Sequence, residues 1–201
     1  MVAILDYNVG NLFSVKNALD YIGEKSVITN DLDEIEKADS LILPGVGAFP
    51  KAMEQLEKHS LTEVIKEQAS KKPLLGICLG MQLLFDKSYE FTETDGLSLI
   101  PGEIKEIPVT GLKIPHMGWN ALKLSNPSPL LDGISEDSYF YFVHSYMAFT
   151  DDKFISAYAE YGTKITAEVW DGKYVFGSQC HPEKSGEVGL KLLKNFCSLS
   201  K

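Results

Sequence analysis

Basic residues and long apolar runs are scarce in this 201-residue chain. It has 19 lysines and arginines against 28 aspartates and glutamates, a formal net charge of −9. This balance argues against a nucleic-acid-binding surface, because binding to phosphates needs clustered positive charge. No apolar stretch approaches the roughly 20 residues that cross a membrane, and the first residues lack the segments of a signal peptide. We expect neither nucleic acid nor a membrane as partner.

Cysteine and glycine patterns argue against several kinds of cofactor site. The three cysteines, Cys78, Cys180 and Cys197, cannot all pair, which favours a reducing cytoplasm, and Cys197 is typical of a buried thiol. Cys180 and His181 with Cys78 or His116 suggest a metal site, but no Cys-x-x-Cys or His-x-x-x-His spacing accompanies them. No glycine-rich segment has the full pattern of a nucleotide-binding loop. We expect neither a metal nor a nucleotide cofactor.

The first half of the chain alternates strand-like and helix-like segments. This order is typical of a parallel, doubly wound α/β sheet. Asn11 and Asp31 stand where helices should begin, and each can cap the first turn. Ser60, with Glu63 three residues later, also has the spacing of a helix start.

The second half contains short strand patterns without long helices between them. Asp171-Gly172 predicts a two-residue hairpin turn, so antiparallel strands should extend the sheet. A last helix is expected over about residues 187–198. The sequence therefore predicts an α/β fold with a doubly wound mixed sheet, mostly parallel, in a single domain spanning residues 1–201.

The segment Gly76-Ile77-Cys78-Leu79-Gly80 is the most informative one in the chain. A cysteine with glycines at both second neighbours is how an α/β fold presents a nucleophile where a strand turns into a helix. The glycines leave room for the turn, and the helix start favours thiolate over thiol. The alternative is a buried structural thiol, the usual state of a lone cysteine. The flanking glycines favour the nucleophile.

His181-Pro182-Glu183, after a predicted strand, supplies a base and a carboxylate. Glu183 can fix the tautomer of His181 while the other ring nitrogen faces Cys78. In isolation, His181 is equally well a core or surface histidine. The three residues together predict an acyl-transfer site.

The loop Gly45-Val46-Gly47 also follows a parallel strand, so it should reach the same sheet edge as Cys78. A backbone N–H of Val46 or Gly47, together with that of Leu79, then forms an oxyanion hole. Alone, the loop is equally well a tight turn between a strand and a helix. Its expected position beside the cysteine favours the oxyanion hole.

With these motifs, the chain resembles the triad (class I) glutamine amidotransferases. Five blocks narrow the resemblance, within that family, to the glutaminase subunits of imidazole glycerol phosphate synthases: residues 6–11, 44–49, 115–120, 141–146 and 181–185. The cysteine and His-Pro-Glu motifs are shared across the family, whereas Pro-His-Met-Gly-Trp-Asn at 115–120 points to this group.

The resemblance implies a flavodoxin-like, class I amidotransferase-like fold and a role for each matched residue. The catalytic residues are Cys78 as nucleophile, His181 as general base and acid, and Glu183 as orienting carboxylate. The oxyanion contacts are Val46, Gly47 and Leu79; Gln82 and the segment His144, Ser145 and Tyr146 hold the amino-acid end of L-glutamine; Trp119, Tyr141 and Lys184 lie toward a partner subunit.

The resemblance also implies that the chain works as one half of a heterodimer, without a cofactor. The partner is a (β/α)-barrel synthase (cyclase) that receives ammonia and makes imidazole glycerol phosphate and aminoimidazole carboxamide ribotide in histidine biosynthesis. Flexible Gly45 and Gly47 suit a loop that completes the oxyanion hole when that partner is engaged.

Several alternatives stay open at the level of sequence. The chain can instead serve anthranilate or aminodeoxychorismate synthase, act alone as a γ-glutamyl hydrolase, or be a non-catalytic interaction subunit. Cysteine peptidases of similar fold place a histidine directly after the nucleophile, where this chain has Leu79. Core packing is the alternative for His144, Trp119 and Tyr141.

Overall fold

In the computed structural model, which describes residues 1–200, an eight-stranded mixed sheet separates two apolar cores. The strands are β1 (Val2–Leu5), β2 (Ser26–Thr29), β3 (Ser40–Gly45), β4 (Leu74–Cys78), β5 (Lys87–Ser88), β6 (Thr94–Asp95), β7 (Glu103–Glu106), β8 (His116–Ala121), β9 (Lys123–Leu124), β10 (Tyr139–His144), β11 (Tyr146–Phe149), β12 (Ile155–Glu160), β13 (Lys164–Trp170) and β14 (Val175–Ser178). The helices are α1 (Leu12–Tyr21), α2 (Leu32–Lys37), α3 (Phe49–Lys58), α4 (Leu61–Ala69), α5 (Leu79–Gln82) and α6 (Gly186–Ser198).

The large sheet has the strand order β2-β1-β3-β4-β14-β13-β12-β9. Its first five strands are parallel, and the last three are added antiparallel. The predicted mixed sheet with an antiparallel extension is therefore confirmed. Because β4 and β14 are parallel neighbours, the residues that follow them meet at one edge of the sheet.

Alternation along β1 shows how the sheet divides the apolar residues. Val2 and Ile4 face the core that contains residues of α1 and α6, whereas Ala3 and Leu5 face the core that contains residues of α2, α3 and α4. Successive side chains of a strand point to opposite faces, so a fully apolar strand indicates burial on both sides. No helix within residues 1–200 combines the length and apolar character needed to cross a membrane.

All three predicted helix starts are confirmed, but only two of them have a side-chain cap. The Asn11 and Asp31 side chains each accept a backbone N–H in the first turn, at 3.4 and 3.0 Å. Ser60 instead has φ +56° and makes no capping bond. Its N–H donates to Glu57 O, which makes Ser60 part of the turn that ends α3.

The hairpin between β13 and β14 forms, but its turn is longer than predicted. Asp171 and Val175 pair through their backbones, which leaves a three-residue loop instead of two. The Asp171 carboxylate accepts the N–H groups of Lys173 and Val175 at 2.7 and 3.0 Å. This side-chain cap stabilises the wider loop, a turn chemistry that the Asp-Gly dipeptide alone does not reveal.

Two smaller sheets lie beside the large one. β10 pairs with β8, and β11, β7, β5 and β6 form a four-stranded sheet. The chain passes from the first of these sheets to the second between His144 and Tyr146. This crossing point lies next to the predicted site.

Candidate active site

Cys78 is the last residue of β4 and stands at a strained elbow. Its backbone has φ +55° and ψ −111°, a left-handed conformation that L residues rarely adopt. The helix that follows is the single turn α5, shorter than the sequence suggests. The strained turn presents the thiol at the end of the strand, as expected of a nucleophile.

The glycines around Cys78 allow close backbone contact. A Cβ atom on Gly80 would lie 1.8 Å from the carbonyl oxygen of Leu43 in β3, and one on Gly76 would lie 2.5 Å from Gly80 O. The α5 turn therefore rests directly on β3 and β4. This explains both glycines more fully than the sharpness of the turn does.

His181 and Glu183 follow β14 and lie at the same sheet edge as Cys78. His181 Nδ1 is 2.8 Å from Glu183 Oε1, and the two side chains are 2% and 1% exposed. A short 3-10 turn over Pro182–Lys184 brings the carboxylate back toward the ring. The other ring nitrogen, Nε2, has no nitrogen or oxygen partner among the described residues, and the Cys78 thiol is its neighbour.

The electrostatic setting makes His181 a cation at neutral pH. Burial alone lowers the pKa of His181, but its hydrogen bonds and charge interactions with Cys78 and Glu183 outweigh that effect and raise the pKa to about 9. A protonated imidazole between a thiol sulfur and a carboxylate can deliver a proton to a leaving group.

A cavity of about 300 Å³ opens beside Cys78. Its lining includes the sequence-predicted residues Val46, Gly47, Cys78, Leu79, Gln82, His144, Ser145, Tyr146 and His181, and three that the sequence did not predict for the site, Glu90, Pro115 and Val143. Glu183 lies behind His181. All the predicted oxyanion and substrate residues thus surround one cavity.

The loop after β3 lines the cavity together with Leu79 of α5. Gly45 pairs with Cys78 in the parallel register, and Gly47 has φ +94°, a conformation that favours glycine. The Tyr7 hydroxyl donates to Pro44 O at 2.6 Å and fixes the start of the loop. Leu79 is the first residue of α5, so its N–H has no acceptor within that helix.

The site and the fold agree with the comparison to known proteins. A model of the family "Glutamine amidotransferase class-I" matches residues 3–199. The chain belongs to the class-I glutamine amidotransferase family.

Relatives of this amidotransferase include two Bacillus proteins named imidazole glycerol phosphate synthase subunit HisH. The protein of Bacillus cereus (strain G9842) is 52% identical over 197 residues, covering 98% of this chain and 93% of the relative. That of Bacillus thuringiensis subsp. konkukian (strain 97-27) is 50% identical with the same coverage.

Solved structures with the same fold are more distant in sequence. A glutamine amidotransferase crystal structure superposes with a TM-score of 0.77 at 17% identity, covering 99% of this chain and 98% of the other. PurLQS from Thermotoga maritima gives a TM-score of 0.76 at 18% identity, covering 100% and 98%. At these identities the likeness shows the fold alone.

Glu90 is a cavity residue of this amidotransferase that the sequence did not indicate. Its Oε2 accepts the N–H of Phe49, the first residue of α3, at 2.7 Å. Burial raises the pKa of Glu90, and the Phe49 N–H opposes that shift. Glu90 lies in an irregular loop after the two-residue strand β5, where no motif marks it.

His144, which lines the cavity, forms a buried pair with His116. His144 Nδ1 is 2.8 Å from Tyr146 O, and its Nε2 is 2.9 Å from His116 Nδ1. Burial lowers the pKa of His116 to about 4 and that of His144 to about 3, so both rings are neutral. Asn120 contacts His116 Nε2 at 3.2 Å and ends this series of hydrogen bonds.

Trp119, Tyr141 and Lys184 meet on the surface next to His181. The Trp119 and Tyr141 rings lie edge to face with centroids 6.0 Å apart, and Lys184 Nζ is 6.0 Å from the Tyr141 centroid. Trp119 is 55% exposed, so the alternative that it packs in the core is wrong. Tyr141 is half-buried and lies 6.4 Å from the His181 ring.

Proposed function

We propose that this chain is the glutaminase subunit of an imidazole glycerol phosphate synthase, acting in the cytoplasm as a single domain. It hydrolyses L-glutamine to glutamate and ammonia and passes the ammonia to a synthase subunit in histidine biosynthesis. The observation that carries the proposal is the Cys78-His181-Glu183 constellation in a chain about half identical to HisH subunits over nearly its full length.

The first half of the reaction forms a thioester and releases ammonia. The Cys78 thiolate attacks the carbon of the glutamine carboxamide, and the carbonyl oxygen becomes an oxyanion. Backbone N–H groups of Leu79 and of Val46 or Gly47 hold that oxyanion, and loss of one donor costs on the order of 100-fold in rate. His181 then donates its Nε2 proton to the departing nitrogen, which leaves as ammonia while the C–N bond breaks.

The second half regenerates the thiolate. His181, now neutral, accepts a proton from water as the water oxygen attacks the thioester carbon. Collapse of this second tetrahedral intermediate breaks the C–S bond and releases glutamate. Glu183 keeps the Nδ1 proton of His181 in place throughout, so Nε2 is always the nitrogen that exchanges protons.

The remaining cavity residues fit the amino-acid end of glutamine. The Glu90 carboxylate uses Oε2 for the Phe49 N–H, which leaves Oε1 to accept from the α-ammonium group. Gln82, Ser145 and Tyr146 line the same cavity and supply further polar contacts. A volume of about 300 Å³ is at the lower end for small-molecule sites, as suits a single amino acid.

The partner that we propose is a (β/α)-barrel synthase subunit in a heterodimer with this chain. The exposed Trp119, with Tyr141 and Lys184, lies beside His181 and forms a surface suited to such a contact. Docking there brings the barrel next to the point where ammonia is released.

The test is glutaminase activity of the purified chain alone and with the candidate synthase subunit. We expect slow hydrolysis alone and faster hydrolysis when the synthase and its nucleotide substrate are both present. Equal rates with and without the synthase would contradict the proposal. Acceleration only by anthranilate or aminodeoxychorismate synthase, or cleavage of casein, would assign the chain to one of the alternative classes.

A further inference from the structure

Gln179 is a fully buried residue between β14 and His181, and no step of the mechanism above uses it. Its side-chain Nε2 lies 3.9 Å from Cys78 Sγ, within hydrogen-bond reach for sulfur. Its Oε1 lies 3.0 Å from Gln82 Nε2. Gln179 therefore connects the sulfur to Gln82.

The direction of this connection follows from the acceptor at its far end. Gln82 Nε2 is also 3.1 Å from the backbone carbonyl oxygen of Tyr146, which only accepts hydrogen bonds. The Gln82 amide must therefore point its NH₂ group at Tyr146, and its second hydrogen goes to Gln179 Oε1. With that oxygen occupied, Gln179 has only its NH₂ group to offer the sulfur.

The same carbonyl oxygen has a second side-chain partner, His144. Because neutral His144 donates from Nδ1 to Tyr146 O, its Nε2 accepts from His116, whose own Nε2 accepts from Asn120. The carbonyl thus receives two side-chain donors in fixed positions. Rotation of the Gln82 amide would place its oxygen against the Tyr146 carbonyl oxygen. The series of hydrogen bonds from Tyr146 O to Cys78 Sγ therefore has only one possible donor-to-acceptor direction.

The sulfur has a competing neighbour. The backbone carbonyl oxygen of Val143 also lies 3.9 Å from Cys78 Sγ, where it accepts a hydrogen bond from the thiol and so disfavours the thiolate. A hydrogen bond donated to the sulfur has the opposite effect and favours the thiolate. Gln179 is placed to supply that donor in addition to His181.

We propose that Gln179 is a further catalytic residue, whose amide donates to the Cys78 thiolate in an orientation fixed by Gln82 and the Tyr146 carbonyl. The inference rests on the proposed function for the role of Cys78 as nucleophile. The hydrogen bond stabilises the resting thiolate and weakens as the sulfur loses charge on bonding to the substrate carbon. Gln179 thus sets how much thiolate is available.

The experiment is alkylation of Cys78 by iodoacetamide, followed by peptide mass spectrometry over a pH series. Alkylation needs the thiolate but not glutamine, so its outcome is independent of whether the chain hydrolyses glutamine. At neutral pH we expect Gln179→Met to react about tenfold more slowly than wild type, as for loss of a hydrogen bond to a charged group. At alkaline pH the alkylation rates of Gln179→Met and wild type should converge, because Cys78 is then a thiolate in both.

Other titratable groups near Cys78 are common to both proteins. They are His181 and Glu183 after β14, Tyr7 after β1, Glu90 after β5 and His144 at the end of β10. The difference between the pH profiles of wild type and Gln179→Met therefore reports the effect of Gln179 alone. Gln68→Met is the matched control, because Gln68 is 4% exposed but lies on α4, and its profile should equal that of wild type.

Superimposable profiles for Gln179→Met and wild type would overturn the proposal. A rate lowered by the same factor at every pH would also overturn it, since that pattern indicates altered access instead of altered charge. A slowing confined to neutral pH in Gln68→Met would do the same. If Gln179→Met does not fold, Gln179→Asn replaces it, because its shorter amide cannot reach both Gln82 and the sulfur; a wild-type profile there overturns the proposal.

Discussion

The two histidines that line the cavity carry different charges for identifiable reasons. His181 contacts a carboxylate and a thiol, and these raise its pKa to about 9 despite burial. His144 contacts a backbone carbonyl and a neutral histidine, and burial lowers its pKa to about 3. Near neutral pH only His181 is therefore an imidazolium that can act as a general acid. His144 is neutral and positions Tyr146.

Glu168 is a second titratable residue whose environment decides its charge. It is fully buried in β13, and its Oε1 accepts from Ser178 Oγ at 2.7 Å and from Cys180 Sγ at 3.2 Å. Burial raises the pKa of Glu168 to about 8, and these two hydrogen bonds only partly oppose it. Glu168 is therefore a neutral carboxylic acid directly behind the His181 segment.

A pH-dependent stability difference should follow from Glu168. Between its ordinary pKa of 4.5 and about 8, the unfolded state binds fewer protons than the folded state, so stability falls as pH rises. A glutamine side chain does not titrate. As pH rises through that range, the free energy of unfolding of Glu168→Gln should therefore increase relative to that of wild type by up to ~1.4 kcal/mol per pH unit. Urea denaturation at several pH values measures this. A stability difference that does not change with pH would contradict it.

At the scale of elements, the α5 turn depends on glycine for its contact with β3. The Gly80→Ala variant should lose about 3 kcal/mol of folding free energy, because the added methyl overlaps Leu43 O at 1.8 Å and forces a backbone shift. The matched control is Gly172→Ala, where φ is +87° but the space is open, so about 1 kcal/mol should be lost. Chemical denaturation compares them; equal losses would show that contact with β3 is unimportant.

Element type and order follow from the sequence, whereas turn details do not. The alternation of apolar residues and the caps at Asn11 and Asp31 are local signals, so they predict the sheet and the first helices. Ser60 stands at the start of α4 as predicted, but the lack of a cap from its side chain was not predicted, because its backbone is held in the turn that ends α3. The Asp171 cap likewise depends on backbone groups of a loop that had to form first.

At the scale of the whole molecule, the sequence likewise predicts one part of the site and misses another. Cys78, His181 and the loop after β3 were predictable, because parallel neighbours bring their carboxyl ends to one edge. Glu90 was not predicted in the site, nor was the contact of His116 with the predicted residue His144, because these residues lie in or next to two separate small sheets. Their contacts depend on how the sheets pack, which no local pattern reports.

The proposed partner surface predicts separate effects on binding and stability. Trp119→Ala should weaken the complex with the synthase subunit by about 2 kcal/mol or more, as for an aromatic at an interface centre. Stability of the free chain should change by about 0.5 kcal/mol or less, because the ring is 55% exposed. The control is Tyr174→Ala, which precedes β14 and lies at the opposite sheet edge. Calorimetric titration in which both variants bind alike would remove Trp119 from the interface.

The most direct test of the account follows the nitrogen itself. The complex of this chain with the synthase subunit is given glutamine labelled in its amide nitrogen, in the presence of unlabelled ammonia. We predict labelled imidazole glycerol phosphate with wild type, and only unlabelled product, made from the added ammonia, with Cys78→Ser. Label that still enters the product with Cys78→Ser, or no label with wild type, would contradict the claim that Cys78 releases the ammonia that the synthase uses.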